Sequence, residues 1–126
     1  MPSPEATIQI EIFNWIREQE PKYPVLKTIF HTPNSFFGTN FGVITHLKKM
    51  GMRKGVYDII VPVSKGNYAG LWIEVKKPKG KLSLEQLQYI DLINNNSDHP
   101  TLFKTTFDAG EGIQIIKDYL KIKEEV

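Results

Sequence analysis

The chain has 126 residues, 40% hydrophobic and 24% charged, with a net charge of +2 and no cysteine. That length suits one domain over 1–126, and the absent thiols exclude disulfides, thiol catalysis and cysteine-held zinc. No apolar run reaches the roughly 18 residues that cross a bilayer, and the opening MPSPEATIQIE lacks the basic and apolar blocks of a targeting signal, so a cytoplasmic protein is expected.

Ser3-Pro4 reads as an N-cap and first helical position, opening a helix to about Gln19 with Ile8, Ile12, Trp15 and Ile16 on its apolar stripe. Prolines at 21 and 24 end it. VLKTIFH, residues 25–31, predicts a strand, TPNSFFGTNFG a loop, and residues 42–50 a short helix. VYDIIVPV (56–63) and YAGLWIEV (68–75), joined by SKGN, predict a hairpin. Ser83 with Gln86 matches a capping box for a helix to about Asn94. TLFKTTF, 101–107, predicts a strand, and Asp108 with Glu111 opens a last helix carrying Ile113, Ile116 and Leu120. This order predicts an α/β chain of α+β type, with a mixed sheet of about four strands flanked by helices.

The small net charge hides an uneven distribution. Lys48, Lys49, Arg53 and Lys54 form one basic cluster, and Lys76, Lys77, Lys79 and Lys81 another. Two such clusters flanking one segment suit a phosphate backbone, although solvated lysine-rich loops would look the same. The three histidines lack metal-ligand spacing, so any metal is expected to be a hard cation held by carboxylates.

The predicted hairpin brings Asp58 back beside Glu74 and Lys76, which share one face because a strand repeats every two residues. A symmetric two-residue turn at 66–67 would instead oppose Asp58 to Val75. An odd-length connection or a bulge is therefore expected. Two adjacent carboxylates repel unless a cation lies between them, and magnesium or manganese would resolve the conflict. Lys76 would then orient water or phosphate. Alternatively, Asp58 and Glu74 simply pair with Lys76 and Lys77 at a sheet end.

The segments KGVYDIIVP and YAGLWIEVKKPKGKLSLEQLQYI, with EATIQIEIFNWI and FHTPNS upstream, resemble the VRR-NUC domain, a branch of the PD-(D/E)xK nuclease superfamily. The likeness rests on G-x-x-D, E-x-K, K-P-x-G-x-L-S and Q-x-x-Y, and departs from the family where Tyr57 replaces the usual proline. It implies a restriction-endonuclease-like fold and a metal-dependent DNA endonuclease. Asp58, Glu74 and the Val75 carbonyl would bind the metal, and Lys76 would be the catalytic lysine. Glu5, rather than Glu11, would complete the site, with Gln9 on the same helical face; an acid in a first helical turn also suits the helix dipole. Gln86 would reach the metal water or phosphate, in competition with its capping role. His31 and Asn34 would contact DNA or support the site, unless His31 is a satisfied half-buried residue and Asn34 a turn residue. Gly55 allows close approach to substrate or a positive φ. A homodimer acting on duplex or branched DNA, a Holliday junction or flap, in a bacterial or phage-infected cell follows from the same resemblance. The alternative is a nucleic-acid-binding module of this fold without chemistry.

Overall fold

The computed structural model describes residues 3–32 and 41–123. Ser3 caps helix α1 (Pro4–Gln19), its side-chain oxygen accepting the Ala6 N–H at 3.1 Å. Pro4 suits the first position because the N–H it lacks would have no helical partner. Ile12 and Ile16 lie buried on the inner face of α1, with Ile8 and Trp15 half-buried beside them.

The expected strand over 25–31 is corrected by the structure. Pro24–Thr28 forms a 3₁₀ turn, and only Phe30–His31 (β1) extends into the sheet. Leu26 and Ile29 are both buried, and their spacing of three matches the 3₁₀ period rather than strand alternation. The Thr28 hydroxyl donates to the Val25 carbonyl at 2.7 Å and reinforces the turn. Most of the expected loop that follows, including Asn34, lies outside the described residues. Helix α2 (Phe41–Lys49) then leads towards the first hairpin strand.

Strands β2 (Ile59–Val61), β3 (Leu71–Val75) and β4 (Leu102–Thr106) complete a sheet ordered β1-β2-β3-β4. The first two pairings are antiparallel and the last is parallel. Both hairpin strands are shorter than expected. Lys65 pairs with Tyr68 across the turn, yet Val61 pairs with Leu71. Pro62, Val63 and Ser64 therefore face only Ala69 and Gly70, which makes a bulge. Pro62 has no N–H to give to a ladder there. The slip sets Ile59 opposite Ile73, and one step further along it brings Asp58 level with Glu74. The expected device is present, and it is the bulge.

Alternation divides β3 between two layers. Leu71, Ile73 and Val75 join Ile12 and Ile16 of α1 and Ile116 and Leu120 of α4 (Ala109–Leu120) in the main core. On the opposite face Trp72 stacks on Tyr89 of α3 (Leu84–Asn95), with ring centroids 5.8 Å apart. Glu74 shares that face, at the end of β3 nearest the start of α3. Asp108 caps α4 by accepting the Glu111 N–H at 2.7 Å, while Glu111 reaches back to the Phe107 N–H rather than that of Asp108. Among the described residues no helix is long and apolar enough to cross a membrane.

Candidate metal centre

Glu74 is only 5% exposed. Its Oε2 is held twice, by Lys76 Nζ at 3.3 Å and by Gln86 Nε2 at 2.5 Å. Its Oε1 is buried and receives no N–H among the described residues, and the Asp58 carboxyl can bond that of Glu74 only while one of the two keeps a proton. A carboxylate oxygen stranded in this way is unfavourable, and native structures rarely leave one. Burial first, and the Asp58 charge second, push the Glu74 carboxyl up to about 7. Burial also raises Asp58, against the pull of the Val75 N–H, which donates to Asp58 Oδ2 at 2.9 Å.

Gln86 performs both of the roles that the sequence set in competition. Its Oε1 accepts the Ser83 N–H at 2.8 Å, while its own N–H donates to Ser83 Oγ at 3.1 Å, completing the capping box. That arrangement turns the amide nitrogen towards Glu74. The carbonyl and amino ends of one side chain thus serve a helix cap and a buried carboxylate at once.

The first helix reaches the same place. Glu5 lines a cleft of about 370 Å³ with Asp58, Glu74, Lys76 and Gln86, and its Oε2 accepts the Lys77 N–H at 3.1 Å. Glu11 is exposed on α1 and lines neither this cleft nor the hollow beside it. The hollow, about 190 Å³, is lined by Glu5, Gln9, His31, Asp58 and Val75. His31 Nδ1 lies 3.1 Å from the Asp58 carbonyl oxygen. A carbonyl can only accept, so Nδ1 carries the proton in that bond. The Thr32 N–H donates to the same carbonyl at 2.9 Å and fixes β1 against the residue that matters.

Lys76 owes its position to the turn that follows it. The Gly80 N–H donates to the Lys77 carbonyl at 2.8 Å, with Pro78 second in the turn and Lys79 at φ +68° in the third place. Those are the type II features, with lysine standing where glycine is usual. A Cβ at Gly80 would lie 3.2 Å from that of Lys76, so the turn packs against the lysine stem.

Gly55 has φ +88°, and a Cβ there would come 2.6 Å from the Glu85 carbonyl oxygen. Its close approach is to the backbone of α3 rather than to a substrate. Gly55→Ala should lower unfolding stability by about 1–3 kcal/mol in denaturant titration, through strain and displacement of α3.

Of the basic residues, Lys54 and Lys76 both line the cleft. Lys48 and Arg53 line a neighbouring groove. Lys49, Lys77, Lys79 and Lys81 are exposed and line neither space. Tyr57, noted in the sequence only as a departure from proline, is 1% exposed and meets Phe103 edge-on at 5.2 Å. Burial and the Glu74 charge push its phenol up to about 12, so it stays neutral. No local signal marked it, because Phe103 belongs to a distant strand.

Among the described residues no three His, Asp or Glu side chains form a group able to enclose an ion by themselves. Magnesium takes one or two carboxylates and completes its shell with water and phosphate oxygens, so Asp58 and Glu74 form a sufficient pair. The stranded Glu74 Oε1 is the donor such an ion would satisfy.

No family model matches the chain, and no curated protein matches it. Among solved structures, one described as a "VRR_NUC domain protein" aligns with a TM-score of 0.73 at 24% identity, covering 95% of this chain and 90% of that one. The two share a fold, the restriction-endonuclease-like mixed sheet flanked by helices that the sequence led us to expect.

Proposed function

We propose that the chain is a nuclease of the VRR-NUC kind, hydrolysing DNA phosphodiesters with a divalent cation held by Asp58 and Glu74. One observation carries this reading: Glu74 Oε1 is buried and unpartnered at the level of Asp58. The fold shared with a VRR_NUC domain protein supports it. Magnesium or manganese bound there supplies positive charge that acidifies water and offsets the charge growing on a phosphoryl group.

The chain's own groups divide the remaining work. Asp58 and Glu74 hold the ion, with Glu5 in the same cleft and Val75 lining the hollow beside it. Lys76 fixes Glu74 Oε2 and offers its ammonium to a phosphate oxygen or to the attacking water. Gln86 keeps the Glu74 carboxylate turned so that Oε1 remains the free donor. Lys54 adds a second cation to the lining of the cleft. A homodimer would present two such clefts to two strands and so suit a branched duplex.

The test is cleavage of linear, flapped, four-way-junction and single-stranded DNA with magnesium, manganese or EDTA. Products are expected with either metal, and none in EDTA or after Asp58→Ala. A wild-type protein that binds DNA but never cuts it would instead be a binding module of the same fold.

A further inference from the structure

A second groove, about 640 Å³, lies between the end of α2 with the segment after it and one side of α3. Lys54 and Glu85 line both it and the Asp58–Glu74 cleft, so the two spaces adjoin. One side carries Lys48, Arg53 and Lys54, while Met52, Tyr89 and Leu92 add apolar surface. Residues 85, 89 and 92 recur at helical spacing, which gives α3 one continuous lining face.

Two features distinguish this groove from a solvated basic loop. Leu92 is 63% exposed into a space whose opposite wall is cationic. Tyr89 is braced from behind: it stacks on Trp72, and Phe103 meets Trp72 edge-on at 5.5 Å. A supported ring beside a row of cations is the arrangement that binds single strands, with phosphates on the charges and bases on the aromatic and apolar surface. A paired duplex keeps its base faces stacked inside and could use only the cations. An unpaired nucleotide can use both. The Glu85 carboxylate disfavours a phosphate at the mouth, which leaves the backbone path along the Lys48–Arg53–Lys54 wall.

We propose that this groove receives unpaired nucleotides of a DNA strand continuing from the Asp58–Glu74 cleft, the phosphates on Lys48, Arg53 and Lys54 and a base against Met52, Tyr89 and Leu92. This rests on the nuclease reading only for the chemistry in the cleft; the groove is tested by binding alone.

Fluorescence anisotropy in EDTA should compare a short oligothymidine with a blunt duplex of equal length, for wild type, Lys48→Ala, Arg53→Ala and Leu92→Ala. Each lysine or arginine removal should weaken oligothymidine binding several-fold and reduce its salt slope by about 0.7. Leu92→Ala should weaken it about fivefold, the low end of the range for losing one stacked base. Duplex affinity should also fall with Lys48→Ala and Arg53→Ala, whose charges its phosphates can use, but should change by less than about twofold with Leu92→Ala. All four proteins should melt alike, because the altered side chains are exposed. Equal losses on duplex and oligothymidine with Leu92→Ala, or no loss on oligothymidine with any variant, overturn the proposal. Failure of wild type to cut DNA would overturn the nuclease reading and leave this binding comparison intact.

Discussion

Glu74→Gln is expected to lower cleavage by about 10²–10³-fold while making the metal-free protein more stable. Both effects come from the same buried oxygen. The Glu74 carboxyl, ordinarily near 4.5, is raised to about 7 in the fold by burial and by Asp58. Between those two values the unfolded chain has released its proton while the folded chain keeps it. Stability therefore falls as pH rises through this window and is lowest above it, when both carboxylates must be charged together. In EDTA the wild-type melting temperature should drop from about pH 5 to about pH 8, by an amount on the order of a few kcal/mol in stability. The Gln variant has no charge to strand, so its profile should be flatter and its melting temperature higher above the window. Manganese should restore wild-type stability most strongly at the alkaline end, because there the ion meets an ionised pair. It should do little for the variant. A Glu74→Gln protein that cuts as well as wild type would sink the proposed mechanism outright.

The parts of the molecule legible from sequence are those decided by residues close together or by strict periodicity. The Ser3 cap and the Ser83–Gln86 box each join groups three residues apart, so their chemistry is local. The Asp58–Glu74 register was legible for a different reason. A strand alternates every two residues, and the turn was located by its own composition, so only an odd slip could place both acids on one face. The run at 25–31 misled because Val, Ile and Phe favour strands, whereas Leu26 and Ile29 reach the core at the spacing of a 3₁₀ turn. His31 against the Asp58 carbonyl depends on the β1–β2 pairing, which no local pattern specifies. The basic groove was half visible. Its cations cluster in sequence, but Tyr89 and Leu92 arrive from α3, which folding alone brings alongside.

Gln86→Ala should weaken manganese binding by about 10–100-fold, the usual scale for losing a group that orients a metal ligand. Ser83→Ala should leave manganese affinity within about twofold, because it acts on the cap rather than on the ligand. The contrast follows from the two ends of one amide. Ser83→Ala removes the acceptor for the Gln86 N–H, but the Ser83 backbone N–H still donates to Gln86 Oε1. The amide keeps its orientation, and Nε2 still holds Glu74 Oε2. Gln86→Ala removes both contacts, so Oε2 keeps only Lys76 and the carboxylate can rotate Oε1 away from Asp58. Each variant should lose about 1 kcal/mol of stability in denaturant titration, the typical contribution of a cap. Similar stability losses with unequal manganese affinity, measured by calorimetry, would separate a positioning residue from a merely structural one. Equal affinity in the two variants would reduce Gln86 to a helix cap and leave Lys76 as the group that orients Glu74.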